Sequence, residues 1–142
     1  MLRDMKIGEW DSLGRARELL QRQLGELGAA EFATHVSLHT DTKRQRILVA
    51  TDVGLLDYTW APMSPAADAP WLLRGLLYRW RNVHGLRLQT DAQLDPDGGE
   101  PRSVWRLVGE DPKIELVADT GGERGEVVPL LAFARACLQH AE

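Results

Sequence analysis

The sequence predicts an α+β domain: an amphipathic N-terminal helix, seven short antiparallel strands and a closing C-terminal helix. Three observations carry this. Apolar residues recur at helical spacing near both ends, in 9–27 and 127–140. Between them, in 32–120, apolar and polar residues alternate with a period of two in several short runs. The runs are joined by short polar connections, and short connections make neighbouring strands antiparallel. A chain of 142 residues suits one domain, 1–142. At that length roughly 68–70% of the unfolded chain's surface is buried on folding, enough for a core without disulfides or metal.

The elements follow in order. In 9–27, Trp10, Leu13, Leu20, Leu24 and Leu27 form one apolar stripe, with Arg15, Arg22 and Glu26 elsewhere on the wheel. Asp11 or Ser12 suits the N-cap, and Gly28 sits where a helix-ending glycine belongs. In "FATHVSLHTD" Phe32, Val36 and Leu38 alternate with His35, Ser37 and His39, which reads as a strand with the histidines on its wet face. "RILVAT" and "LLDYTW" form a hairpin across Asp52-Val53-Gly54, with Gly54 free to take a positive φ. "APMSPAADAP" is a loop. "WLLRGLLYRW", 71–80, reads either as a short helix or as a strand with a bend; Gly75 and the tryptophans favour the strand. "LRLQTDA", "SVWRLV" and "KIELVA" complete the strands, and "VVPLLAFARACLQHA" closes the chain with Pro129 in a first turn.

Composition narrows the function classes. The apolar fraction is 44% and the charged fraction 27%, ordinary for a globular protein. No apolar run approaches the 18 or so residues that span a bilayer, and "MLRDMKIGEW" lacks the apolar core of a signal peptide, so no integral membrane association is expected. The one cysteine, Cys137, cannot form an intramolecular disulfide, and a cytoplasmic location is expected. Net charge is −4, positive in 32–90 and strongly negative after 91, which argues against nucleic acid as a partner.

Seven short antiparallel strands followed by one helix resemble the pleckstrin-homology-like (PH-like) barrel. The hairpin "RILVATDVGLLDYTW" and the closing "VVPLLAFARACLQ" are similar to the first hairpin and capping helix of bacterial members, and the likeness spans 32–140. It implies a seven-stranded barrel or sandwich capped by the last helix, with the first helix as an addition. It also implies interaction rather than chemistry. The final-helix tryptophan of eukaryotic pleckstrin-homology domains is absent, and Phe133 is expected in its place. In that family the loop corresponding to "TKRQRI" holds anionic head groups, so Lys43, Arg44 and Arg46 are the candidate anion-binding residues. The first strand lacks the lysine of the family's phosphoinositide signature.

Other candidates fall to plainer readings. His35 and His39 are four apart on one strand, about 13 Å, whereas zinc holds its ligands at about 2.1 Å. "DPDGGE", 95–100, is too short for a calcium loop. "RWR", 79–81, places Trp80 between two arginines, which suits core or rim better than a nucleic-acid platform. Cys137 lies on the apolar side of its helix and suits burial rather than nucleophilic attack. No P-loop, dinucleotide-binding, HExxH, CxxC or GxSxG motif occurs. Neither catalytic residues, nor a metal, nor a cofactor are expected.

The expected function is a non-enzymatic protein-interaction or scaffold module. Its first helix packs on the barrel or pairs with a second subunit; the second is preferred, making Trp10, Leu13, Leu20 and Leu24 partner-binding residues of a homo-oligomer. The alternatives are a lipocalin-like barrel holding a hydrophobic ligand and anionic head-group binding through Lys43, Arg44 and Arg46.

Overall fold

The computed structural model describes residues 7–38, 44–94, 96–120 and 126–141, and the side chains of these except 7–13 and 38. The chain begins with helix α1 (Ile7–Leu27). Strands β1 (Glu31–Leu38), β2 (Gln45–Thr51), β3 (Gly54–Pro62) and β4 (Trp71–Arg79) follow. After a single 3₁₀ turn, Trp80–Asn82, come β5 (Arg87–Gln93), β6 (Arg102–Gly109), β7 (Ile114–Asp119) and helix α2 (Val127–His140). All pairings are antiparallel, in one sheet of order β1-β2-β3-β4 and a second of order β5-β6-β7. Among the described residues no ladder joins the two sheets. Residues 71–79 are strand, and the bend comes after them, at Trp80. No helix among the described residues is long and apolar enough to cross a membrane.

Two apolar cores explain the layering. The inner one lies between the sheets. It holds Leu48, Ala50 and Leu55 from the first sheet, Leu107, Ile114, Leu116 and Ala118 from the second, and Leu130, Phe133, Ala134 and Cys137 from α2. Phe133 is fully buried there. The outer core lies on the other face of the first sheet, where Ala16, Leu20 and Leu24 of α1 cover Ile47, Val49, Leu56, Tyr58 and Trp60. Strands β2 and β3 are therefore apolar on both faces, as a doubly covered sheet requires. Leu20 and Leu24, expected to serve a second subunit, instead face the chain's own sheet. The reason is that "ILVA" in β2 offers apolar side chains outward as well as inward. Trp10 and Leu13 lie in α1 with side chains outside the described residues.

β1 alternates opposite to expectation. Ala33 packs on the inner core and His35 on Phe133, ring centroids 5.9 Å apart, while Phe32 and Val36 are 46% and 45% exposed. A register shift between Glu31 and Ala33 turns Phe32 away from the regular pleat, and its ring stacks on His140 of α2 at 4.6 Å. The bulk of α2 leaves room only for small or flat side chains on the inward face of β1. His39 lies outside the described residues.

Two local features set the hairpins. Thr51 Oγ1 accepts from the N–H groups of Val53 and Gly54 and donates to the Gly54 carbonyl, closing the β2–β3 turn. Gly54 has no positive φ; it is glycine because a Cβ there would lie 2.3 Å from the Tyr78 carbonyl oxygen. Trp80 donates its indole N–H to the Thr51 carbonyl at 2.8 Å, tying the bend to that turn. Gly28 does end α1 with φ +72°.

The inward placement of His35 has a consequence for pH. Burial holds its pKa below the usual 6.5, and Nδ1 is buried without a hydrogen-bond partner. The unfolded chain therefore binds this proton more readily than the folded one. The contribution is present in full above pH 6.5 and is lost as pH falls from 6.5 to the lowered folded value. Urea unfolding across that window is expected to show stability falling with pH, and His35→Leu to flatten the fall. A slope unchanged by the substitution would place the sensitivity elsewhere.

Candidate functional site

The four sheet edges differ in kind. β1 and β7 lie against α2. β5 is polar along its length, with Arg87, Gln89, Thr90, Asp91 and Gln93. β4 is different: nine residues, seven of them other than arginine, in unbroken register with β3 and bare on the far side. Long apolar edges invite another strand, and proteins blunt them with proline, bulges, lysine or a covering element. Among the described residues β4 has no proline, bulge or lysine, and although α1 lies against one face of it, no strand pairs with its far side. Leu76 is 62% exposed, Leu77 38% and Leu72 37%.

The pleat divides these side chains. Trp71, Leu73, Gly75 and Leu77 lie on the α1 side; Leu72, Arg74, Leu76 and Tyr78 lie on the inner side. Trp71 packs on Trp60 with ring centroids 5.3 Å apart. Gly75 is opposite Tyr58, whose ring fills the place of a side chain: a Cβ at 75 would stand 2.4 Å from it. The middle of the edge thus carries no side chain of its own, because the Tyr58 ring occupies that place. Beside the strand lies a cleft of about 370 Å³, lined by Arg44, Thr59, Ala61, Pro62, Met63, Leu72 and Arg74. A second groove, of about 420 Å³, runs between α1 and β1 past Arg17, Gln21, Thr34 and Val36. Neither lies inside the inner core.

The basic turn is only partly in view. Lys43 lies outside the described residues. Arg44 is exposed, at the rim of the cleft beside β4. Arg46 sits on the inner face of β2 and is committed to the chain itself. Its Nε and one terminal nitrogen donate to the two Asp57 oxygens at 3.0 and 2.7 Å, and the same terminal nitrogen donates to the Lys113 carbonyl at 2.9 Å. The Asp57 bond holds the guanidinium's pKa above its usual value against the opposing effect of burial. Arg46 is a clamp between the first sheet and the β6–β7 turn.

Burial pushes the Cys137 thiol up to about 12, which disfavours the thiolate at neutral pH. Among the described residues no three His, Cys, Asp or Glu side chains converge as metal ligands would. Buried polar atoms without a partner remain on the α1 side, where Gln45 Oε1 and Trp60 Nε1 belong to directly opposed residues.

The sequence leaves 71–80 open between helix and strand and singles out Trp80 alone as core or rim, so it points to none of Leu72, Leu76 and Leu77 as surface. The available signal was apolar residues at both parities of one strand around a glycine. That pattern reports an apolar strand but not whether a neighbour covers it. No protein-family model, curated protein or solved structure matches the chain.

Proposed function

We propose that this chain is a non-enzymatic protein-interaction module with a PH-like arrangement of its two sheets and last helix, and that it binds by adding a strand to β4. The observation that carries the reading is the apolar edge from Trp71 to Arg79, which no strand pairs among the described residues. Strand addition takes affinity from main-chain hydrogen bonds and selectivity from alternate side chains. Leu72 in the Arg74 cleft, and Leu76 two residues beyond Arg74 on the same face, supply the second. Support for interaction over ligand storage comes from the inner core, where Phe133, Leu48, Leu55 and Leu107 occupy the space a lipocalin-like ligand needs. Support against a head-group site comes from Arg46, whose donors already serve Asp57 and Lys113. The single, buried cysteine suits a reducing, cytoplasmic setting.

The test is a selection of extended peptides from a displayed random library on the full chain, mapped by amide NMR. Selected peptides are expected to perturb the amides of Trp71–Arg79 and to lose most of their affinity against Leu76→Lys. Peptides that map to another surface, or that bind the variant equally well, would overturn the reading.

A further inference from the structure

The observations on β4 go one step further and name its occupant. We propose that the strand added to β4 is β4 of a second copy of this chain, in an antiparallel pair centred on Gly75; the inference rests on the strand-addition reading above.

Symmetry limits the choices. Two identical edges meet about a two-fold axis normal to the sheet, which reverses strand direction but keeps each face on its own side. Paired residues must then share a face, so the axis passes through a single residue number. An axis at Gly75, the middle of the nine-residue strand, pairs every residue from Trp71 to Arg79. An axis at Arg74 would set two arginines directly opposite each other, which is destabilising.

The Gly75 register is self-complementary in chemistry. Leu73 meets Leu77 of the second copy on the α1 side. Trp71 meets its Arg79 there, a guanidinium within reach of an indole face. On the inner side Leu72 meets Tyr78, and Leu76 meets Arg74, whose methylene stem covers the leucine while its head stays in water. No two like charges are directly opposed. The three most exposed leucines of the strand, at 72, 76 and 77, all gain a partner. Gly75 itself faces Gly75 without a side chain in the way, because its space is taken by Tyr58 from behind. The result is one eight-stranded sheet with both α1 helices on the same side. Among the described residues no proline, bulge or lysine of β4 obstructs it. The long apolar edge that would be a liability in a monomer is then closed by its own copy.

Sedimentation velocity of the full chain over a concentration series is expected to show a monomer–dimer equilibrium, weakened about tenfold or more by Leu76→Lys, a substitution at an exposed position. A second readout needs no loss of function. Arg74→Cys and Leu76→Cys proteins, mixed and oxidised, are expected to give a disulfide-linked dimer containing one of each, since opposed residues bring their Cβ atoms to about 5 Å. Cys137 is buried and stays out of the reaction. A strict monomer, a dimer indifferent to Leu76→Lys, or efficient crosslinking of Leu76→Cys with itself would overturn the proposal. A strict monomer that still takes selected peptides on β4 would leave strand addition standing and remove only the second copy.

Discussion

Phe133→Ala is expected to cost about 3–5 kcal/mol of unfolding free energy, the usual range for truncating a buried phenylalanine. The side chain is fully buried and stands where α2 meets both sheets, among Leu48, Leu107, Leu116 and Leu130. Domains of this kind are stable by about 5–15 kcal/mol in total, so the loss is a large share of the whole. Urea unfolding should show a much lower midpoint with an unchanged slope, because the surface exposed on unfolding hardly changes. Phe133→Leu, which keeps most of the volume, should cost well under half as much. The cavity also borders His35, 5.9 Å from the Phe133 ring. Water entering it should relieve the burial that lowers the His35 pKa, so Phe133→Ala should also flatten the loss of stability below pH 6.5. A cost below about 1 kcal/mol would mean that α2 does not seal the space between the sheets.

The order of elements was legible because its two periods are distinct. Leucines in α1 recur at helical spacing and end at Gly28, and the strands alternate between polar turns. The burial of Cys137 was legible too, from the apolar side of α2. What the alternation could not reveal is which face points inward. In β1 the answer depends on a bulge near Phe32 and on the bulk of α2, both tertiary. The docking of α1 had a signal that was available: four consecutive apolar residues in β2, Ile47 to Ala50, describe a strand covered on both sides. The β4 edge had only its apolar residues at both parities, and a strand's own residues do not say how many neighbours it has. The sequence groups Arg46 with the turn cations because Asp57, eleven residues on, reaches it through the register that sets Leu48 opposite Asp57 and Arg46 opposite Thr59.

That clamp carries the second large effect. Asp57→Ala is expected to destabilise the chain by about 1–3 kcal/mol, because it strips two charge-assisted bonds from a guanidinium that is itself half-buried. Among the described residues the Lys113 carbonyl is the hydrogen-bond partner left to its guanidinium. The cost is more than the bond is worth on its own, since an unpaired charge is left behind. Arg46→Met with Asp57→Leu, which removes both charges and keeps the bulk, should therefore cost less than the two single changes together. A double-mutant cycle should return a coupling of about 1–3 kcal/mol. Additive costs would show that the two side chains act independently, despite separations of 2.7 and 3.0 Å. The same variant bears on the anion reading of the basic turn. If Asp57 is what occupies Arg46, its removal exposes a guanidinium on the inner face of β2. Asp57→Ala should then bind inorganic phosphate more tightly than the native chain does. The native pair is thus a cation already holding its anion, and the strength with which Asp57 does so is the reason this arginine organises the two sheets rather than a ligand.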